Sequence, residues 1–175
     1  TRTWSEELVA EWLQLEGYFI ATAVPTHAGE RGGRSEADVV GARVRGDILE
    51  IKHIEVGSLA ESPSKNISRV NEKFSRENLT AIENYCKEIL GFPVSGSTKY
   101  ERLYVATWVS DKTLQEAKTQ KVPIISLNQF IKDTIIPTIK KWKDNPPHKT
   151  KTKGLITLPD GLWLLHLIDR MTNIQ

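Results

Sequence analysis

The chain has 175 residues, 39% of them hydrophobic and 26% charged, a length that suits one domain and a composition that excludes wholesale disorder. No run approaches the roughly 20 apolar residues of a membrane-spanning helix, the first residues lack the basic start and apolar core of a secretion signal, and a single cysteine, Cys86, excludes an internal disulfide and a thiolate zinc site. The net charge of +2 hides a division, since residues 1–91 carry 15 acidic and 11 basic side chains while residues 92–175 carry 7 and 13. A soluble, cytoplasmic protein is the expectation.

In chain order, Trp4–Glu16 reads as a helix that Ser5 can cap, with Val9, Trp12, Leu13 and Leu15 as its apolar stripe. Glu6 shares that packed face, with Glu7 as the alternative, while Glu7 and Glu11 lean toward solvent. Gly17 ends the helix, and Tyr18–Val24 is β-prone. The segment Pro25–Ser35 holds three glycines and a proline, which forbid regular structure. Ala37–Val44 and Ile48–Glu55 then form two strands around the turn Arg45-Gly46-Asp47.

A long helix follows from about Ser64 to Leu90. On it Lys65, Arg69, Lys73 and Arg76 make a basic stripe, and Cys86 falls among the core positions. Arg102–Val109 is a strand, Lys112–Thr119 a helix and Val122–Leu127 a strand. Asn128–Trp142 is a helix that Pro137 should break or kink. After a proline- and lysine-rich linker, Leu155–Leu158 reads as a short strand and Asp160–Met171 as an apolar helix. The expected division is a core over residues 1–143 and a linker with C-terminal appendage over 144–175. The order of elements predicts an α/β fold with a mixed sheet and helices on its faces.

The stretch that carries chemistry is Glu36-Ala37-Asp38-Val39-Val40, followed by Leu49-Glu50-Ile51-Lys52-His53. Residues two apart on a strand share a face, so Glu50 and Lys52 project together. Pairing across the turn can bring the Asp38 carboxylate near Glu50. Charges within a sheet are costly unless paired or metal-bound, and two carboxylates with a lysine suit Mg²⁺ and a phosphoryl group. A solvated strand face of alternating charge fits Glu50 and Lys52 equally well, and the same acidic-x-Lys spacing recurs at Glu116 and Lys118. His53 follows the lysine, points the other way and reads as a packing residue.

The larger pattern is a helix with a glutamate, a Gly-rich loop, Asp38-Val39-Val40-Gly41-Ala42, then Glu50-Ile51-Lys52 and a long helix. It resembles the PD-(D/E)XK nuclease superfamily, with Ala37 in place of the proline. The N-terminal half is most similar to archaeal-type Holliday-junction resolvases and small restriction endonucleases, which also carry a glutamate eleven residues before a glycine-aromatic pair, here Glu6 before Gly17-Tyr18. The resemblance covers residues 4–56 and implies a restriction-endonuclease-like mixed central sheet flanked by helices, with a C-terminal helical appendage.

The resemblance further implies that Asp38, Glu50 and the backbone carbonyl of Ile51 bind Mg²⁺, for which Mn²⁺ can substitute. Lys52 activates the water and Glu6 supports the metal from the helix, so that catalysis rests on Glu6, Asp38, Glu50 and Lys52. The same resemblance implies that DNA is cut to a 5′-phosphate and a 3′-hydroxyl. Its backbone is expected to meet His27, Arg31, Arg34, Arg43 and Arg45, together with Lys140, Lys141 and Lys143.

The expected activity is a Mg²⁺-dependent DNA endonuclease acting as a homodimer on Holliday junctions or branched DNA. A sequence-specific type II restriction enzyme is the alternative, and a non-catalytic or partner-dependent DNA-binding subunit a second one. The apolar helix containing Leu162, Trp163, Leu165, Leu167 and Ile168 is either core or half of the dimer interface.

Overall fold

The computed structural model describes residues 3–26, 35–146 and 157–173. Helix α1 (Trp4–Leu15) is capped by Thr3 rather than Ser5. The Thr3 hydroxyl accepts from the Glu6 amide at 3.3 Å, and the Glu6 carboxylate accepts from the Thr3 amide at 3.0 Å. This reciprocal box satisfies donors that the first turn would otherwise leave open. Gly17, at φ +82°, turns the chain into β1 (Phe19–Pro25), and β2 (Glu36–Arg45) and β3 (Ile48–Leu59) follow.

The single long helix expected after β3 is two, α2 (Pro63–Lys73) and α3 (Arg76–Ile89). Ser75 divides them because its side chain accepts from the Asn78 amide and starts a new helix. Strand β4 (Ser97–Val109) begins five residues before the expected Arg102, because its first half pairs with β3 from Ile48 onward. Helix α4 (Asp111–Gln120), β5 (Ile124–Ser126) and α5 (Leu127–Phe130) follow.

The α-helix expected over Asn128–Trp142 is interrupted in the turn before Pro137. A π-helical turn over Ile131–Ile135 comes first, and Pro137 then sits in the first turn of α6 (Ile136–Asp144), where its missing N–H costs little. The chain closes with α7 (Trp163–Thr172). Of the short strand expected before it, Thr157 and Leu158 are coil, with Leu158 buried, and residues 155–156 lie outside the described residues.

The sheet order is β1-β2-β3-β4-β5, with β1, β2 and β3 antiparallel and β3, β4 and β5 parallel. Helices cover both faces. On one side Val9, Trp12 and Leu13 of α1 pack with Val39, Ile54, Val105, Phe130, Ile139 and Leu165. On the other, Val40, Ala42, Leu49 and Ile51 meet Ile82 and Cys86 of α3, and Ile67, Val70 and Phe74 meet Leu59 and Tyr104. The protein is thus α/β, with a mixed five-stranded sheet between helical layers and a C-terminal helix against α1. Among the described residues no helix is long and apolar enough to cross a membrane.

Glu11 does not lean toward solvent. It is 1% exposed, and its carboxylate accepts from the amides of Leu164 and Leu165 at 3.2 and 2.9 Å, capping the start of α7 from α1. Burial raises its pKa, although the two amides pull the other way. Leu164 and Leu165 bury one side of α7, while Trp163, Leu167 and Met171 form an exposed row. Glu11→Ala strands two amides and is expected to lower the unfolding free energy by about 2 kcal/mol, with Glu11→Gln milder. A urea titration that leaves Glu11→Ala at the wild-type midpoint would show that the cap does not hold α7.

Candidate active site

The hairpin register decides which charged groups meet. Gly46, at φ +56°, is the first central residue of a two-residue turn, so Arg45 pairs with Ile48. Each step outward advances one residue on both strands. Glu50 therefore pairs with Arg43, and the ladder's last pair is Val39 with Ile54. The next position sets Asp38 beside Glu55, not Glu50.

The expected partnership of Asp38 with Glu50 and Lys52 is therefore not what the structure shows. Glu50 and Lys52 do share a face, but it is the α1 face. There Arg43 Nε donates to Glu50 Oε2 at 2.6 Å, and the same guanidinium donates to the Glu16 carbonyl and lies 4.0 Å from the Tyr18 ring centre. Lys52 Nζ donates to Glu16 Oε2 at 2.7 Å and stands over the rings of Trp12 and Tyr18. The Arg43 hydrogen bond holds the Glu50 carboxyl below its usual range. Each charge has its own partner, Glu50 with Arg43 and Lys52 with Glu16, and with side chains only 17% and 16% exposed neither is the solvated residue of the strand-face alternative. Ile51 points into the opposite core, and its carbonyl lies in the paired hairpin away from Asp38.

A second cluster forms where β2 and β3 part. Asp38 Oδ2 accepts from the Val56 amide at 2.9 Å, replacing the backbone acceptor that the ladder no longer supplies. Opposite, on β1, Ala23 stands between the Thr22–Val39 and Val24–Ala37 pairs with φ +53°, an uncommon conformation for a residue with a side chain. Lys73, at the end of α2, reaches in and places Nζ 2.8 Å from Glu55 Oε2, while donating to the Glu36 carbonyl at 3.2 Å. His53 shares the face of Glu55 and binds its Oε1 through Nε2 at 2.8 Å. The other His53 nitrogen meets the Tyr100 hydroxyl at 3.2 Å, and its ring packs edge-on to Phe74. His53 is a fully buried packing residue, as expected, but one that positions Glu55.

The two carboxylates are driven apart in acidity. Burial, and then the Glu55 charge, raise Asp38 to about 6. Burial presses the same way on Glu55, yet the His53 hydrogen bond and the Lys73 charge win and keep it below its usual range. Burial opposes the Lys73 ammonium, but the Glu55 charge holds its pKa above normal. At neutral pH the site thus holds an ionised Glu55, a largely ionised Asp38 and a cationic Lys73.

The donor set suits a hard divalent cation. Glu55 Oε2 is buried without a properly angled hydrogen bond, although Lys73 is near it, and Asp38 is repelled by Glu55. No group of three or more His, Cys, Asp or Glu side chains able to hold a metal occurs among the described residues. Two carboxylates with waters and phosphate oxygens are the usual complement for Mg²⁺, so Asp38 and Glu55 fit it.

The remaining expected residues are scattered. Glu6 is engaged in the α1 capping box, and its charge reaches Asp38 only weakly. Arg43 and Arg45 lie five and seven residues along β2 from Asp38, roughly 17–23 Å at strand spacing. They line a cavity of about 460 Å³ with Glu16, Thr138, Lys141 and Trp142, on the α1 side. Lys140 is exposed, and Lys143 is tied to Asp169 of α7 at 3.0 Å. His27, Arg31 and Arg34 lie outside the described residues.

Glu55 and Lys73 are the residues that sequence reasoning did not place in a site. The signal for Glu55 was a glycine opening a two-residue turn, which sets the register. The signal for Lys73 was its place on the basic stripe, at the end of α2. Comparison with protein-family models and with curated proteins finds no match to this chain.

Proposed function

We propose that the protein is a Mg²⁺-dependent DNA endonuclease of the PD-(D/E)XK kind whose working residues are Asp38, Glu55 and Lys73. The observation that carries this reading is the convergence of two carboxylates and a lysine at the point where the hairpin strands part. In sequence the motif then runs Asp38 … Glu55-Val56-Gly57, with its lysine supplied by α2 rather than by the strand. A mixed sheet with helices on both faces agrees with the fold that this family uses.

Asp38 and Glu55 would hold the ion, and Mn²⁺ would serve in its place. When bound there it supplies Lewis-acid polarisation of a phosphate oxygen. Lys73 carries a full positive charge beside Glu55 and can neutralise charge that develops on the phosphoryl group as water attacks and the 3′-oxygen leaves. His53 and Tyr100 fix the rotamer of Glu55 from behind. Branched DNA is the preferred substrate on this reading, because the described core lacks an added element to enter a major groove.

The test incubates purified protein with linear duplex, single-stranded DNA and a four-way junction, with Mg²⁺ or with EDTA, beside Glu55→Gln. Mg²⁺-dependent cutting that Glu55→Gln abolishes is the expected result. An unaltered rate in Glu55→Gln would remove this site from the reaction. Binding to all three without cutting, and no cutting of genomic DNA, would favour a binding subunit.

A further inference from the structure

In the strand pattern that the proposed motif follows, a lysine would stand two residues after the glutamate. Here that position is Gly57, and the space above it is already used. A Cβ built on Gly57 would lie 2.9 Å from the Tyr104 hydroxyl oxygen, with the next ring atom at 3.9 Å. Tyr104 is the partner of Glu55 in the parallel β3–β4 register. Its phenol therefore lies alongside Glu55 and ends over the bare backbone of Gly57, where the register also shifts between Gly57 and Ser58.

Two further observations bear on what the phenol meets there. The Tyr104 residue is 2% exposed, but its hydroxyl is not one of the fully buried polar atoms left without a hydrogen bond. The charges that act on that hydroxyl are Arg69, Asp38, Glu55 and Lys73, so the phenol ends beside the same cluster. Beside it Glu55 Oε2 has the Lys73 charge but no properly angled hydrogen bond. The phenol end, the Lys73 ammonium and this carboxylate oxygen thus stand at one place.

We propose that Tyr104 is a further catalytic residue, whose O–H, admitted by the missing side chain of Gly57, donates a hydrogen bond to a non-bridging oxygen of the phosphodiester. The proposal rests on the nuclease reading above. In it the duties of one strand lysine are divided, with Lys73 bringing the charge and Tyr104 a directed donor. No bond to Tyr104 forms or breaks, and its proton stays on the phenol.

The experiment is a double-mutant cycle on the whole chain, with single-turnover cleavage of the preferred DNA in Mg²⁺, DNA affinity in Ca²⁺ and thermal midpoint read for each protein. Tyr104→Phe keeps the ring and is expected to slow cleavage by about ten- to a hundredfold, with affinity and midpoint close to wild type. Gly57→Ala forces the hydroxyl away and is expected to slow cleavage as well. With Tyr104→Phe in place the added methyl meets only ordinary ring contact, so the double variant should be no slower than Tyr104→Phe alone.

Wild-type cleavage that Lys73→Ala abolishes, with Tyr104→Phe within twofold of wild type, would overturn the role of Tyr104 and leave the nuclease reading intact. Rates of the two single variants that multiply in the double variant would also overturn it, since the glycine and the hydroxyl would then act separately. No Mg²⁺-dependent cleavage by the wild type on any substrate would overturn both.

Discussion

Lys73→Ala is expected to reduce Mg²⁺-dependent DNA cleavage by about 10³-fold, while Lys52→Ala stays within a few-fold of wild type. The contrast follows from the two faces of β3. Lys73 is the cation beside Glu55 and Asp38, whereas Lys52 is bound to Glu16 and covered by Trp12 and Tyr18 on the opposite face. The carboxylates are expected to divide in the same way, with Glu55→Gln inactive and Glu50→Gln active. Single-turnover gel assays on one substrate, with circular dichroism to confirm folding, make the comparison. A Lys52→Ala protein that cannot cut, beside a Lys73→Ala protein that can, would return the activity to the α1 face.

Asp38→Asn is expected to abolish cleavage and to stabilise the metal-free protein at alkaline pH. The folded pKa of Asp38, about 6, lies above the unfolded value of 3.8. Its contribution to stability is therefore fully present below pH ~4 and is lost as pH rises through ~6, because the folded state resists the charge. An asparagine cannot ionise, and its carbonyl can still accept from the Val56 amide. Discounted for partial exposure, the rise corresponds to about 2 kcal/mol in favour of Asp38→Asn at pH ~8, vanishing below pH ~4. Denaturant titrations in EDTA measure it. Millimolar Mg²⁺ should then raise the wild-type midpoint at the alkaline end and leave Asp38→Asn unmoved, a result that does not depend on any substrate. Equal stability of the two proteins there in EDTA would mean that the folded state does not resist the carboxylate's charge.

Much of the architecture was legible because each element is punctuated in the chain. Gly17 ends α1, Gly46 turns the hairpin and Gly91 follows α3, all at positive φ. The division of α2 from α3 was not, since no glycine or proline stands between Phe74 and Ile82 and only the capping bond of Ser75 reveals the end. The site was half legible. Asp38 stood out, but its partner depends on whether the turn has two residues or three, and a one-residue change of register moves every side chain to the other face. Glu50-Ile51-Lys52 fits the motif in spacing alone. Its charges are spent on Arg43 and Glu16, contacts that join segments distant in the chain and leave no local signature. Lys73 showed only as one member of a basic stripe for the same reason, because a helix end was needed to carry it to Glu55.

The cap that Glu11 places on α7 has a kinetic side. Its hydrogen bonds close a separation of 153 and 154 residues, among the least local contacts a chain of this length can make. At ordinary rates of synthesis, α7 is made roughly ten to thirty seconds after α1. Until then Val9 and Leu13 lack part of their cover, and the Glu11 carboxylate faces water rather than the amides it will bind. The core around α1 is thus finished late and by a segment far away, which sets a slow, non-local closing step in its assembly. Seen in time rather than in space, the two helices that close the α1 side are the first and the last described helices to be made.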